Sequence, residues 1–165
     1  MLPSQLWRFI GFYGHPEGHR HRQSWALLNR LNGMDQLPWL CMGDFNEILS
    51  VDEHVGEVPG MYGRMEDFNE MVNRCGLLDM GFRGVPFTWD NRRTGEGFVQ
   101  KRLDRRWPSL LGLNASILVR SAMFFAPTPT MSLYFSRWMS VLAVIAPNGA
   151  PKSLKRSGFF ILNVK

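Results

Sequence analysis

Apolar positions fall into a few short blocks with different periods. Leu6-Trp7-Arg8-Phe9-Ile10-Gly11-Phe12-Tyr13-Gly14 carries apolar residues on both alternating faces. That pattern predicts a strand covered on both sides and ended by a glycine turn. His15 to Arg22 is polar and reads as a loop. Ser24 to Asn32 places Trp25, Leu28 and Leu31 at helical spacing, and Gly33 fits a helix C-terminus. Leu37-Pro38-Trp39-Leu40-Cys41-Met42 predicts a second buried strand. Ser50 to Gly63 is rich in Gly, Pro and acids and reads as a loop. Arg64 to Cys75 is the clearest helix, with Met65, Phe68, Met71, Val72 and Cys75 on one face and Gly76 closing it. Leu77-Leu78-Asp79-Met80 reads as the start of a further strand. Phe87-Thr88-Trp89 and Phe98 to Asp104 flank Asn91 to Gly97 and predict a hairpin. In its second arm Phe98, Gln100, Arg102 and Asp104 are expected on one face. After Asp104 the periodicity is weak and assigns no element. Strands alternating with amphipathic helices, then a hairpin, predict a mixed α/β (α+β) layered fold.

Composition adds bounds. The chain has 165 residues, 45% hydrophobic and 20% charged, enough for one domain with a core and unlike a disordered chain. Cys41 and Cys75 both sit in apolar contexts and predict buried free thiols of a reducing compartment, neither a disulfide framework nor a metal motif. Met1 to Ser4 lacks the pattern of a secretory signal, and the apolar stretch Met139 to Ala146 is too short to span a bilayer. The expected location is nucleus or cytoplasm, with no membrane partner.

Charge is unevenly placed. Up to Asp104 there are 11 Lys+Arg and all 14 Asp+Glu; from Arg105 to Lys165 there are 8 Lys+Arg and no acid. A basic segment of this kind is either a nucleic-acid or membrane-binding arm or a sequence foreign to the rest of the domain.

The chemistry is concentrated in Gly43-Asp44-Phe45-Asn46-Glu47, which closes the second apolar run. In extended backbone, residues i and i+2 share a face, so Asp44 and Asn46 would present a carboxylate beside a carboxamide. Such a pair can position and deprotonate a water next to a phosphate. The alternative is a strand followed by an Asx-type turn. Glu47 is expected to alternate away from this pair. Asp104, between Arg102 and Arg105, could equally form a surface ion pair. Tyr13 could be a core residue. The histidines and arginines of residues 15–22 could track a nucleic-acid backbone or line a solvated loop.

Five segments in order are similar to a known family: Gly11-Phe12-Tyr13-Gly14-His15-Pro16, Pro38 to Glu47, Cys75-Gly76-Leu77-Leu78-Asp79, Phe87-Thr88-Trp89-Asp90-Asn91 and Arg102-Leu103-Asp104-Arg105. They resemble the endonuclease domain of plant non-LTR (LINE-type) retrotransposons, in the endonuclease/exonuclease/phosphatase superfamily. The likeness spans about residues 6–118 and leaves 119–165 as a divergent tail. It implies a partial four-layered α/β sandwich of the DNase I-like type. It also implies Mg²⁺-dependent phosphodiester hydrolysis, DNA as partner, and an ancestral fusion to a reverse transcriptase. The resemblance makes Asp44 the base that activates water and Asn46 a holder of a phosphate oxygen. It makes Tyr13 a hydrogen-bond donor to the phosphate and Asp104 the aspartate that orients a later catalytic histidine. Metal ligands are left open.

Two departures accompany it. The family's early asparagine and metal-binding glutamate are expected ahead of Leu6, where five residues stand. The family's terminal Ser-Asp-His motif aligns with Pro127 to Phe135, which holds neither Asp nor His. Read one nucleotide earlier, suitable codons for that peptide can spell His-Ser-Asp-His-Glu-Ser-Leu-Phe. A frameshift between Asp104 and Pro127 is therefore expected to account for the acid-free tail. The resulting expectation is a degenerate, catalytically impaired copy. The alternatives are a non-catalytic nucleic-acid-binding protein using the basic tail, and a phosphoesterase of the same superfamily.

Overall fold

The computed structural model describes residues 6–57, 62–82 and 84–111, together with the backbone of 158–164. Its centre is a four-stranded sheet of β1 (Trp7–Tyr13), β2 (Trp39–Asp44), β6 (Asp104–Pro108) and β7 (Gly158–Val164), in the order β6-β2-β1-β7. β1 and β2 run parallel, joined through helix α1 (His21–Asn32). β6 and β7 flank them antiparallel. A second sheet of three two-residue strands, β3 (His54–Val55), β5 (Gln100–Lys101) and β4 (Trp89–Asp90), has the order β3-β5-β4. Helix α2 (Tyr62–Arg74) completes the set. The described residues thus form an α+β fold.

The register sorts the large sheet into two faces. Ile10 and Phe12 of β1, Trp39 and Cys41 of β2, and Trp107 of β6 stand on one side. They form one core with Trp25, Leu28 and Leu31 of α1 and with Phe68, Met71 and Val72 of α2. Phe45, just past β2, lies at its centre, its ring 4.4 Å from that of Trp107 and 5.0 Å from that of Phe12. On the other side Phe9, Leu40 and Met42 are buried as well. A strand pair with apolar residues on both faces is the pattern of a covered parallel unit.

Helix α2 ends as its sequence predicts. The Leu77 amide bonds the Val72 carbonyl, the Gly76 amide bonds that of Asn73, and Gly76 adopts φ 57°. This closes the helix with a left-handed residue that glycine takes without a Cβ penalty. Helix α1 starts three residues earlier than the apolar spacing marks, at His21, after a 3₁₀ turn over Gly18–Arg20. His21 is consequently buried rather than on a solvated loop. The hairpin forms, with β4 and β5 joined across a 3₁₀ turn at Gly95–Gly97. Its second arm is not one continuous strand. The chain leaves the small sheet after Lys101 and enters the large one at Asp104, so Gln100 and Asp104 lie in different sheets.

The segment after Met42 departs from expectation too. Ser50 to Gly63 contains a 3₁₀ turn at Val51–Glu53 and the strand β3. Leu77 makes only a single bridge, to Ser109. Past residue 111, β7 pairs along the whole of β1 from Trp7 to Tyr13, where periodicity had assigned nothing. The stretch aligned with the family's terminal motif, Pro127 to Phe135, lies outside the described residues.

Candidate functional site

Strands β1, β2 and β6 bring Tyr13, Asp44 and Asp104 into a single row. Tyr13 is the register partner of Asp44 in the parallel pair, and Asp44 that of Asp104 in the antiparallel pair. Partners in adjacent strands share a face, so the phenol and both carboxyl groups stand together at one end of the sheet. Tyr13 is 37% exposed, so the row opens to solvent there.

Close approach of the backbones shapes this end. A Cβ on Gly43 would lie 1.7 Å from the Phe12 carbonyl oxygen, and one on Gly14 would lie 2.7 Å from that of Phe45. Glycine at both positions lets the β1 and β2 ends meet. The Gly14 amide then donates to the Asp44 carbonyl at 2.8 Å, and the Phe45 amide to the Leu103 carbonyl at 2.9 Å.

Asn46 is not extended: its φ is 56°. Its backbone amide donates to Asp44 Oδ1 at 2.8 Å, which is an Asx turn, and its side-chain Nδ2 donates to the Gly14 carbonyl at 2.9 Å. The simple i, i+2 argument therefore gives the wrong reason for their proximity. Asp44 and Asn46 are joined by a turn, and the carboxamide locks the ends of β1 and β2 together. The second hydrogen on Nδ2 remains a donor for a ligand.

Asp104 is held by Thr88, whose hydroxyl oxygen accepts the amides of Leu103 and Asp104 at 3.0 Å each. Its Oδ1 is buried and meets no hydrogen-bond partner among the described residues. Burial and the facing Asp44 charge push the Asp104 carboxyl up to about 7, against the opposing pull of the Thr88 hydrogen bond and Arg105. Burial also raises Asp44, partly offset by the Asn46 amide. Two like charges in adjacent positions do not ionise independently.

Among the described residues Asp104 forms no ion pair with Arg102 or Arg105. Arg102 and Arg105 turn to the other side and grip Glu53 and Asp79. Burial alone would raise Glu53; the hydrogen bond and charge of Arg105, the Leu49 amide and Arg102 outweigh it and hold the carboxyl low. Sequence reading missed this cluster because its members are far apart along the chain. Glu47 is engaged outside the row, though the turn at Asn46, with φ 56°, breaks the extended alternation that was the expected reason. Its Oε2 lies 3.0 Å from His21 Nδ1 and accepts from Arg64 Nε at 3.2 Å. Cys41 and Cys75 are buried free thiols. Burial raises both, Cys75 to about 11, which leaves them unreactive.

Among the described residues no group of three or more His, Cys, Asp or Glu side chains is placed to hold a metal. None of their helices is long and apolar enough to cross a membrane. Fold and site define an α+β protein with a paired, half-buried diacid at the end of a parallel strand pair. No protein-family model matches the chain, and no curated protein matches its sequence.

Proposed function

We propose that the chain is an endonuclease-type phosphodiesterase domain that has lost part of its catalytic power. In this reading it is a partial DNase I-like sandwich, related to the endonuclease domains of plant LINE-type retrotransposons and derived from a DNA-nicking enzyme fused to a reverse transcriptase. The observation that carries the reading is the Tyr13–Asp44–Asp104 row.

The row divides the labour of phosphodiester attack. Asp44 accepts the Asn46 amide, which favours its ionised form, and is the base for a water. Asp104 keeps its proton to about neutrality, so one carboxyl of the pair accepts while the other donates. The Tyr13 hydroxyl and the free Asn46 amide hydrogen are donors for phosphate oxygens, where charge develops.

Mg²⁺ binds one or two carboxylates and retains several waters. Asp44 and Asp104 are the carboxyls that would hold it, and a bound ion would displace the proton that Asp104 keeps without it; Asp104 Oδ1 is buried and has no hydrogen-bond partner among the described residues. When bound there, the ion would offset phosphoryl charge.

The weakness lies at Asp104. In the family the matching aspartate orients a histidine, yet no histidine follows His54 in this sequence. Plasmid nicking tests the reading. With Mg²⁺, supercoiled plasmid should show little open-circle product above an Asp44→Ala control. Added imidazole, replacing the absent ring, should raise nicking in the parent chain and not in Asp44→Ala. Vigorous Asp44-dependent nicking without imidazole overturns the loss of power. Absence of any Asp44-dependent rescue overturns the nuclease reading itself. The coding DNA tests the frameshift separately: the alternate frame after Asp104 must spell a Ser-Asp-His motif free of stops.

A further inference from the structure

Two consecutive residues close the two ends of the β1–α1 connection. The Asn46 side chain donates to the Gly14 carbonyl, just past β1, and the Glu47 carboxyl meets His21, where α1 begins. The connection is fastened between these points as well. The His15 amide donates to Ser24 Oγ at 3.0 Å. Arg64 Nη1 packs on Gly18, where an added Cβ would lie 2.9 Å from it.

Glu47 is the centre of this fastening. It is 4% exposed. Its Oε2 meets both His21 Nδ1 and Arg64 Nε, and its Oε1 accepts the Ile48 amide at 3.1 Å. His21 opens α1, and Arg64 lies in the first turn of α2. The two helices pack on each other through Trp25 and Phe68, whose ring centres are 4.5 Å apart. Glu47 thus ties the turn at Asn46 to the first turns of both helices.

Stability alone does not account for this arrangement. A buried ion pair returns little net stability once the desolvation of its members is counted. The His21 ring also leaves Nε2 buried with no hydrogen-bond partner among the described residues, which adds a penalty. Apolar side chains would fill the same space without either cost, but they lack direction. The adjoining turn needs direction, because Asn46 sits at φ 56°, a left-handed conformation that asparagine tolerates but does not favour. Residues 44–47 divide the work: Asp44 and Asn46 are half-buried at the site, Phe45 lies in the core, and Glu47 joins the helices.

We propose that Glu47 is a positioning residue for the carboxylate row: held by His21 and Arg64, it fixes the Asn46 turn, and with it the phosphate-facing carboxamide, against the end of β1. The task of that carboxamide rests on the nuclease reading, whereas the clamp itself is tested without cleavage.

The test follows the Asn46 side-chain amide of the full chain by NMR in EDTA. Chemical shifts report the folded state, so a loss of stability alone does not move them. In Glu47→Ala the Asn46 signals should shift toward those of a free carboxamide. Arg64→Met, at a side chain 41% exposed, should shift them in the same direction by a smaller amount. Val72→Ala removes core contacts of α2 without touching the clamp, and should leave them at the parent position although stability falls. Circular dichroism checks folding, and if Glu47→Ala does not fold, Arg64→Met decides. Parental Asn46 signals in either folded clamp variant overturn the proposal, as does an equal shift in Val72→Ala. Shifted signals together with failed imidazole rescue leave the clamp standing and remove only the catalytic reading.

Discussion

Asp44 and Asp104 are register partners across the β2–β6 ladder, one on each side of a single backbone pairing. Like charges in directly opposite positions repel, and here burial adds to the cost. The pair therefore accepts one negative charge far more readily than two.

That relationship fixes a pH dependence of stability. The folded Asp104 carboxyl titrates at about 7, above the value of about 3.9 for an unfolded aspartate. Between these values the folded chain holds a proton that the unfolded chain has released. Stability is therefore full below about pH 4 on this account, falls as pH rises, and levels off above about 7. Asp104→Asn should flatten the slope and stabilise the protein at pH 8 by roughly 1–4 kcal/mol. Urea titrations at pH 5 and pH 8, in EDTA, measure it.

A second expectation concerns the coupling itself. Asp44→Asn removes one of the two influences that raise Asp104. The Asp104 carboxyl should then titrate at lower pH, while burial keeps it above an ordinary aspartate. Carbon-detected NMR of the side-chain carboxyls reads this directly. An unmoved Asp104 would separate the two groups.

Glycine substitutions should divide sharply. Gly43→Ala drives a methyl into the Phe12 carbonyl at 1.7 Å. It should cost more than about 4 kcal/mol or abolish folding. Gly76→Ala meets no atom within 4 Å and strains only a positive φ of 57°. It should cost about 1 kcal/mol. Thermal melts of the two variants check the ranking.

The Glu53–Arg105 pair should behave as a buried charge site. Arg105 is 2% exposed and pairs with both Glu53 and Asp79. Glu53→Gln leaves its guanidinium short of a partner and should destabilise by about 3 kcal/mol or more. Because the folded Glu53 carboxyl is held low, its contribution is present above the unfolded value of about 4.3. It is lost as pH falls through the folded value. Acid unfolding should therefore move to higher pH in Glu53→Gln, as followed by tryptophan fluorescence.

The ring of Phe45 anchors the turn between Asp44 and Asn46 in the aromatic core. Phe45→Ala should cost about 3–5 kcal/mol. Phe45→Leu should cost less while loosening the turn, seen as faster hydrogen exchange at the Asn46 amide.

Much of this architecture is legible in local pattern. The two covered strands, the face of α2 and its glycine stop depend on residues within a few positions of each other. So does the hairpin. The early start of α1 was hidden because His21 is polar, and the partner that meets its buried ring, Glu47, lies 26 residues away. Arg102 and Arg105 looked like partners for Asp104 because they are its neighbours in sequence. Their partners are Glu53 and Asp79, which only the folded chain brings near. Strand β7 was assigned no element because periodicity after Asp104 is weak, and its place beside β1 is a long-range pairing that local pattern does not carry. At the site, Asp44, Tyr13 and Asp104 were each marked individually. Their alignment in one row needed the register of three strands.

The pairing of β7 with β1 has an outcome for synthesis. Trp7–Tyr13 takes one of its neighbours, Gly158–Val164, from far later in the chain. Until that segment emerges, one flank of Trp7–Tyr13 has free amides and carbonyls in an apolar sequence. Such an edge recruits other chains, and closing so long a loop is slow. A nascent copy needs chaperone cover over Trp7–Tyr13 until Gly158–Val164 has been made.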